Sequence, residues 1–207
     1  ASVEQVFGRA AVPIQLPIGQ EKEFRGVVDL VTMKALVYKS DGDGKASSEE
    51  IPADMAEAAK AAHEKLVELV AEGDDTLMEE FFAEGTLPVE DLSKGLRLAV
   101  LAKRLHPVLL SSALRNIGSD AILNFFVDFM PSPAERGMVA GFTEEDRKGN
   151  PLERKMSATE PLSVFVFKTI ADPFAGRINY FKVISGVLKN DATIANFNRN
   201  TPERLQH

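Results

Sequence analysis

Cysteine is missing from this chain altogether. Disulfides and thiolate metal sites are therefore excluded, and the lack fits a reducing, cytoplasmic compartment. Histidine is scarce. His63, His106 and His207 are far apart and have no ligand spacing, so no metal site is expected. His63 lies among helical Ala and Lys residues and reads as a surface or interface side chain. No apolar run is long enough to span a bilayer, and no membrane partner is expected. The opening "ASVEQVFGRAAVPIQ" lacks the basic-then-apolar order of a signal peptide. Basic residues are outnumbered, with 24 Lys and Arg against 31 Asp and Glu and a net charge of −7. Such a chain does not coat nucleic acid non-specifically, because that binding comes from neutralised phosphates. Sequence-specific DNA binding is not expected either.

Most catalytic apparatus is missing as well. A phosphate loop needs G-x-x-x-x-G-K-[ST], so that glycine amides wrap the phosphates and the hydroxyl holds magnesium. The Gly44-Lys45 pair has Lys39 where the leading glycine belongs and Ala46 after it. D-x-x-G occurs at Asp41–Gly44 and Asp146–Gly149, both in turn-like stretches. No Asn-Lys-x-Asp guanine-reading motif occurs. "DGDGKASSEEIP" is a poor calcium loop, with Ala46 at its sixth position and Pro52 at its twelfth. Glu79/Glu80 and Glu144/Glu145 are adjacent in sequence. Adjacent helix residues point different ways, so these pairs read as solvated faces. Ser112, in "LLSSALRNIG", lacks the G-x-S-x-G elbow and a nearby histidine, which argues against a nucleophile.

What is present is a soluble-type chain of 207 residues, 44% hydrophobic and 27% charged, long enough for one large domain or two small ones. "VPIQLPI" alternates as a strand with Val12, Ile14, Leu16 and Ile18 on one face, and Pro13 and Pro17 favour an edge. "FRGVVDLVTMKALVYK" predicts two more strands or a hairpin, and Ser40–Lys45 a turn. Met55, Ala59, Ala62, Leu66 and Leu69 mark one helix face, with Pro52 near its start. Thr76 and Glu79 stand at capping-box spacing for a second helix ending at Gly85. Val89, Leu92, Leu96, Ala99 and Val100 define a third. "PVLLSS" reads as a short buried strand. A fourth helix follows, with Ser119 as its N-cap and Ile122, Phe125, Phe126 and Phe129 inward. Residues 131–160 have no clear periodicity and read as a linker. Beyond them, "PLSVFVFKTI", "RINYFKVISGVL" and "ATIANF" alternate as the opening strands of a barrel or sandwich too short to close. The first and last residues both look cut, which suggests a piece of a longer protein.

Two stretches carry a resemblance. "DPFAGRINYFKVISGVL", Asp172 to Leu188, resembles the opening of the second, β-barrel domain of translational GTPases. "VPIQLPIG" followed by "FRGVVDLVTMKALVY" is similar to the subdomain inserted in the GTP-binding domain of the elongation factor G family, the ribosomal translocases. "HEKLVELVAEGDDTLMEEFF", "HPVLLSSALRNIG" and "FVDFMPSPAER" continue the likeness in order. It covers nearly the whole chain and is weakest at 137–159. "PSPAER" and "LSKGLRLAVLAKRL" lean towards an elongation factor G-like paralogue.

The resemblance implies an α/β fold: the C-terminal part of a P-loop GTPase domain (residues 1–130) with an α+β inserted subdomain (about 20–105). A linker (131–160) and the first strands of an antiparallel β-barrel domain II (161–207) would follow. The phosphate, switch and Asn-Lys-x-Asp motifs would lie before Ala1. The family's last nucleotide motif maps to Ser112, Ala113 and Leu114, where a backbone amide would donate to the guanine carbonyl. Ser111 stands where the family usually has Gly, and "NFNRNTPERL" keeps Glu203 and Arg204 but has Asn where Lys is common. The resemblance also implies GTP or GDP and magnesium as cofactors of the parent, and the ribosome and its stalk protein as partners. By itself this chain is expected to be inactive and to bind no cofactor. Two other readings remain: a ribosomal-protection or release-factor type of translational GTPase, and a non-enzymatic module docking the stalk protein.

Overall fold

The computed structural model describes residues 2–40, 42–142 and 152–205. The chain divides into two compact units, Ala1–Met130 and Pro131–His207.

The first unit is mixed α/β. After α1 (Ser2–Phe7), "VPIQLPI" gives two strands, β1 (Ala11–Pro13) and β2 (Gln15–Ile18), in different sheets. The single strand expected there is thus corrected: the chain changes sheet at Ile14. Val12, Ile14 and Ile18 are buried, as alternation requires, but so is Gln15. β2 is the edge of a four-stranded antiparallel sheet completed by β3 (Gly26–Asp29), β4 (Lys34–Val37) and β5 (Ser47–Glu49). Edge placement suits Pro17, which has no N–H to donate to the ladder. The polar strand β5 has no apolar alternation to announce it.

Three helices pack with this sheet. α2 (Ala56–Ala71) buries Ala59, Leu66 and Leu69 on the expected face. α3 (Asp75–Glu84) starts earlier than the capping-box reading requires. Its N-cap is Asp74, whose carboxylate accepts from the amides of Thr76 and Leu77, and Gly85 ends it in the left-handed region. α4 (Val89–Leu101) buries Leu92, Gly95, Leu96 and Ala99, whereas Val89 is exposed. The core joins Val28, Leu30, Leu66, Val70, Leu92 and Leu96.

β6 (His106–Val108) then pairs in parallel with β1. It is exposed at His106 and half-buried at Pro107 and Val108, less buried than the sequence suggests. α5 (Ser119–Phe129) follows, with Gly118 rather than Ser119 at the N-cap and no side-chain cap. Phe125 is buried and stacks on Phe129 at 5.1 Å between ring centroids. Phe126, expected inward, is exposed.

The second unit is built of hairpins. The stretch 131–160, expected as a linker, holds a turn at Ala134–Arg136 and a pair of antiparallel strands, β7 (Met138–Gly141) and β8 (Leu152–Lys155). Glu144, Glu145 and the Asp146–Gly149 motif lie outside the described residues. β9 (Ser163–Asp172) and β10 (Gly176–Ser185) form a long hairpin, and β11 (Thr193–Asn196) pairs with β12 (Thr201–Arg204). Register shifts at Tyr180/Phe181 and Val183/Ser185 interrupt strict alternation. No closed barrel occurs among the described residues. Between 152 and 205 the one buried residue described is Ser185, whose hydroxyl donates to the Pro161 carbonyl at 2.7 Å.

Candidate functional site

The loop between β6 and α5 is largely exposed and is tied down by hydrogen bonds along its length. It leaves β6 at the carboxyl end of a parallel pair, with registers Ala11 to His106 and Pro13 to Val108. Loops at that end of parallel strands are where α/β folds place their ligands. The buried Gln15 fixes its first turn, its side-chain oxygen accepting from the Leu110 amide at 2.9 Å.

Ser112 and Ile117 then close the loop on itself. The Ser112 amide donates to the Ile117 carbonyl at 2.9 Å, and the Ile117 amide donates back at 3.1 Å. Between them, Ala113–Arg115 make a single 3-10 turn. Its hydrogen bonds run from the Arg115 and Asn116 amides to the carbonyls of Ser112 and Ala113, 3.2 Å each. The amides of Ala113 and Leu114, first in the turn, have no acceptor within it. The Ala113 and Leu114 side chains are exposed, Leu114 by 98%. Ser112 is half-buried, and no histidine or carboxylate hydrogen bonds to its hydroxyl among the described residues.

The exit is sterically set. Gly118 has φ +79°, and a Cβ there would meet the Leu110 carbonyl oxygen at 2.6 Å. Only glycine makes that close approach without strain. Asn116 also takes the left-handed region, at φ 50°, which Asn tolerates better than most side chains.

Polar side chains that periodicity does not single out surround the loop. Arg115 donates through Nη1 to the carbonyls of Lys22 and Phe24, both at 2.8 Å. Asp120, in the first turn of α5, accepts the Tyr38 hydroxyl at 2.6 Å and the Ala46 amide at 3.1 Å. Burial pushes the Tyr38 phenol well above its ordinary range. The hydrogen bond to Asp120 and that carboxylate's charge act in the same direction, against a smaller opposing effect of the Gly118 amide. A Cβ on Gly44 would stand 2.1 Å from Asn116 Nδ2, so the "DGDGK" turn is seated against the loop.

The remaining candidates are dispersed. His63, read as a surface or interface side chain, is half-buried: its Nδ1 donates to the Leu30 carbonyl at 2.7 Å, tying α2 to the end of β3. His106 is exposed, and His207 and Asp41 lie outside the described residues. Among the described residues no group of three or more His, Cys, Asp or Glu is placed to hold a metal ion. None of their helices is long and apolar enough to cross a membrane.

No family model matches this chain. Its structure is similar to the crystal structure of a protein from Thermus thermophilus, with a TM-score of 0.71 and 27% sequence identity. The similarity covers 100% of this chain and 27% of that one. The chain therefore spans about a quarter of the length of the protein it matches, and that protein's name carries no activity with it.

Proposed function

We propose that this chain is the C-terminal part of a guanine-nucleotide-binding domain, with an inserted subdomain at about 20–105, in a ribosome-associated translational GTPase of the elongation factor G type. On this reading Ser112, Ala113 and Leu114 form the loop that meets the guanine base. The observation that carries it is the turn itself. Two adjacent amides, Ala113 and Leu114, stand outside the turn's own hydrogen bonds at the carboxyl end of a parallel strand pair. Amides so placed suit a carbonyl acceptor, which guanine has and adenine lacks at the corresponding edge. The order of similar segments along the chain supports the wider assignment.

GTP, its magnesium ion and the attacking water would be handled by residues outside these 207. The chain supplies base recognition, and its parent couples nucleotide state to movement of tRNA and mRNA on the ribosome. The whole protein carrying this chain is expected to bind GDP and to hydrolyse GTP faster when ribosomes are added. The isolated chain is expected to bind guanine nucleotide only weakly. Isothermal titration showing micromolar GDP affinity for the isolated chain, or no GDP binding by the whole protein, would overturn the assignment. A translational GTPase of the ribosomal-protection or release-factor type would share the nucleotide chemistry and differ in what ribosomes do afterwards.

A second reading has its own observation. Phe82 on α3 and Leu98 on α4 are exposed by 78% and 56%, as suits helices that dock a protein. The ribosomal stalk protein is the partner this reading proposes. Co-sedimentation of the chain with the stalk protein, lost in Phe82→Ala, is the expected result.

A further inference from the structure

The Ser112–Gly118 loop is held from outside by groups that are not part of its turn. Arg115 reaches the carbonyls of Lys22 and Phe24, around the 3-10 turn Glu21–Glu23. Asp120 gathers the Tyr38 hydroxyl and the Ala46 amide. Gly44 lies against the Asn116 carboxamide, where a Cβ would stand 2.1 Å from Nδ2. Every one of these contacts comes from residues 22–46, the start of the subdomain inserted between β2 and β6. That segment and the loop are far apart in sequence, by 91 and 93 residues for the Arg115 bonds and by 82 for Tyr38–Asp120.

An exposed loop closed only by its own short turn samples many conformations. Two amides that must meet one carbonyl oxygen cannot, because recognition requires donors fixed in place. Gln15 fixes the entry at Leu110, and the contacts from 22–46 fix the turn itself and the helix start that follows it. We propose that Tyr38, Arg115 and Asp120 are positioning residues for guanine recognition. Through them, the inserted subdomain sets the affinity of a base it does not touch. The proposal rests on the assignment of Ser112–Leu114 as the guanine loop.

The test uses the whole protein carrying this chain, with the variants Tyr38→Phe and Arg115→Ala. Tyr38→Phe removes one hydroxyl and keeps the buried ring. Asp74→Ala serves as the comparison, because it weakens the α3 cap in the same unit without touching the loop. Affinities for GDP and for inosine diphosphate are measured by stopped-flow and titration, with hydrogen exchange at the Ser112 and Ile117 amides alongside. Inosine diphosphate keeps the carbonyl that the loop amides would meet and lacks the 2-amino group. Losing one or two positioning hydrogen bonds is expected to weaken both nucleotides by the same factor, about fivefold. Exchange at Ser112 and Ile117 should quicken in step, and Asp74→Ala should leave affinity unchanged.

If the unaltered protein binds no GDP, the guanine-loop assignment fails and this proposal with it. If the unaltered protein binds GDP but Tyr38→Phe and Arg115→Ala bind it as tightly, the positioning role fails and the assignment stands. An equal loss in Asp74→Ala would also overturn it, since the effect would then follow stability alone.

Discussion

Gln15 is a polar side chain in a strand whose other inward residues are apolar, and only 3% of it is exposed. Its oxygen is the acceptor for the Leu110 amide, so replacing it leaves a donor without a partner. Gln15→Leu is expected to cost about 1–3 kcal/mol, read as a lower urea midpoint, although leucine is the more hydrophobic residue. Gly118→Ala places a methyl group against the Leu110 carbonyl in the left-handed region. It should cost about 1–3 kcal/mol by the same measurement. Tyr38 gives a pH dependence. Burial, with help from Asp120, raises its folded-state value above the ordinary 10.0. The folded state therefore holds the phenol proton where the unfolded chain has begun to release it. This contribution is complete below that range and is lost as pH rises through it. Between about pH 8 and about pH 11 the unaltered chain should lose more stability than Tyr38→Phe, seen in paired urea titrations. None of these three roles was legible in the sequence. A periodic pattern reports which face is apolar, and it says nothing about which polar group finds a partner 82 or 95 positions away.

At the scale of elements, helices and their apolar faces were largely readable and their ends were not. The α2 and α4 stripes follow from spacings of three and four, a signal that tertiary contacts reinforce. The cap of α3 is ambiguous in the sequence, because Thr76–Glu79 satisfies the capping-box spacing while Asp74, two residues earlier, holds the amides. The two possibilities separate cleanly. Asp74→Ala should lower stability by about 1 kcal/mol, and Thr76→Ala by much less, in thermal melts of the chain. α5 shows a different limit. Its polar side is narrow, made by Asp120, Asn124 and Asp128, and the apolar face opposite is wide enough to hold both Phe125, which is buried, and Phe126, which is not. Strand boundaries suffered most. Val12–Ile18 alternates without interruption, yet the chain leaves one sheet for another at Ile14, a decision made by pairing partners and not by local pattern.

The whole molecule distributes its apolar burial unevenly. All the buried apolar side chains described lie between Ala11 and Phe125. In the second unit Phe165, Phe167, Tyr180, Phe181 and Val183 are all exposed. Protection against hydrogen exchange follows buried contacts. Amides of β3 and of α2 are therefore expected to exchange slowest, and those of β9 and β10 much sooner, despite the hairpin's ten-residue strands. Mass spectrometry of peptic fragments checks this directly. Equal protection in both units would show that the apolar side chains of the hairpin are covered in solution. The overall pattern, helices among small strands and then strands alone, was legible in the sequence because the apolar period changes from that of helices to that of strands after residue 160. The candidate loop was legible only as a resemblance at Ser112–Leu114. The Arg115, Asp120 and Gly44 contacts that hold it emerge only once residues 22–46 are folded against it.

Leu114 stands at the tip of that loop with 98% of its surface free, in a chain without a single thiol. A cysteine put in its place would be the only thiol these 207 residues offer to maleimide chemistry. Its attachment point would project into solvent while the backbone beneath stays tied through Ser112 and Ile117. A fluorophore or spin label there would follow the loop itself, and its line shape or anisotropy would register how rigidly residues 22–46 grip it.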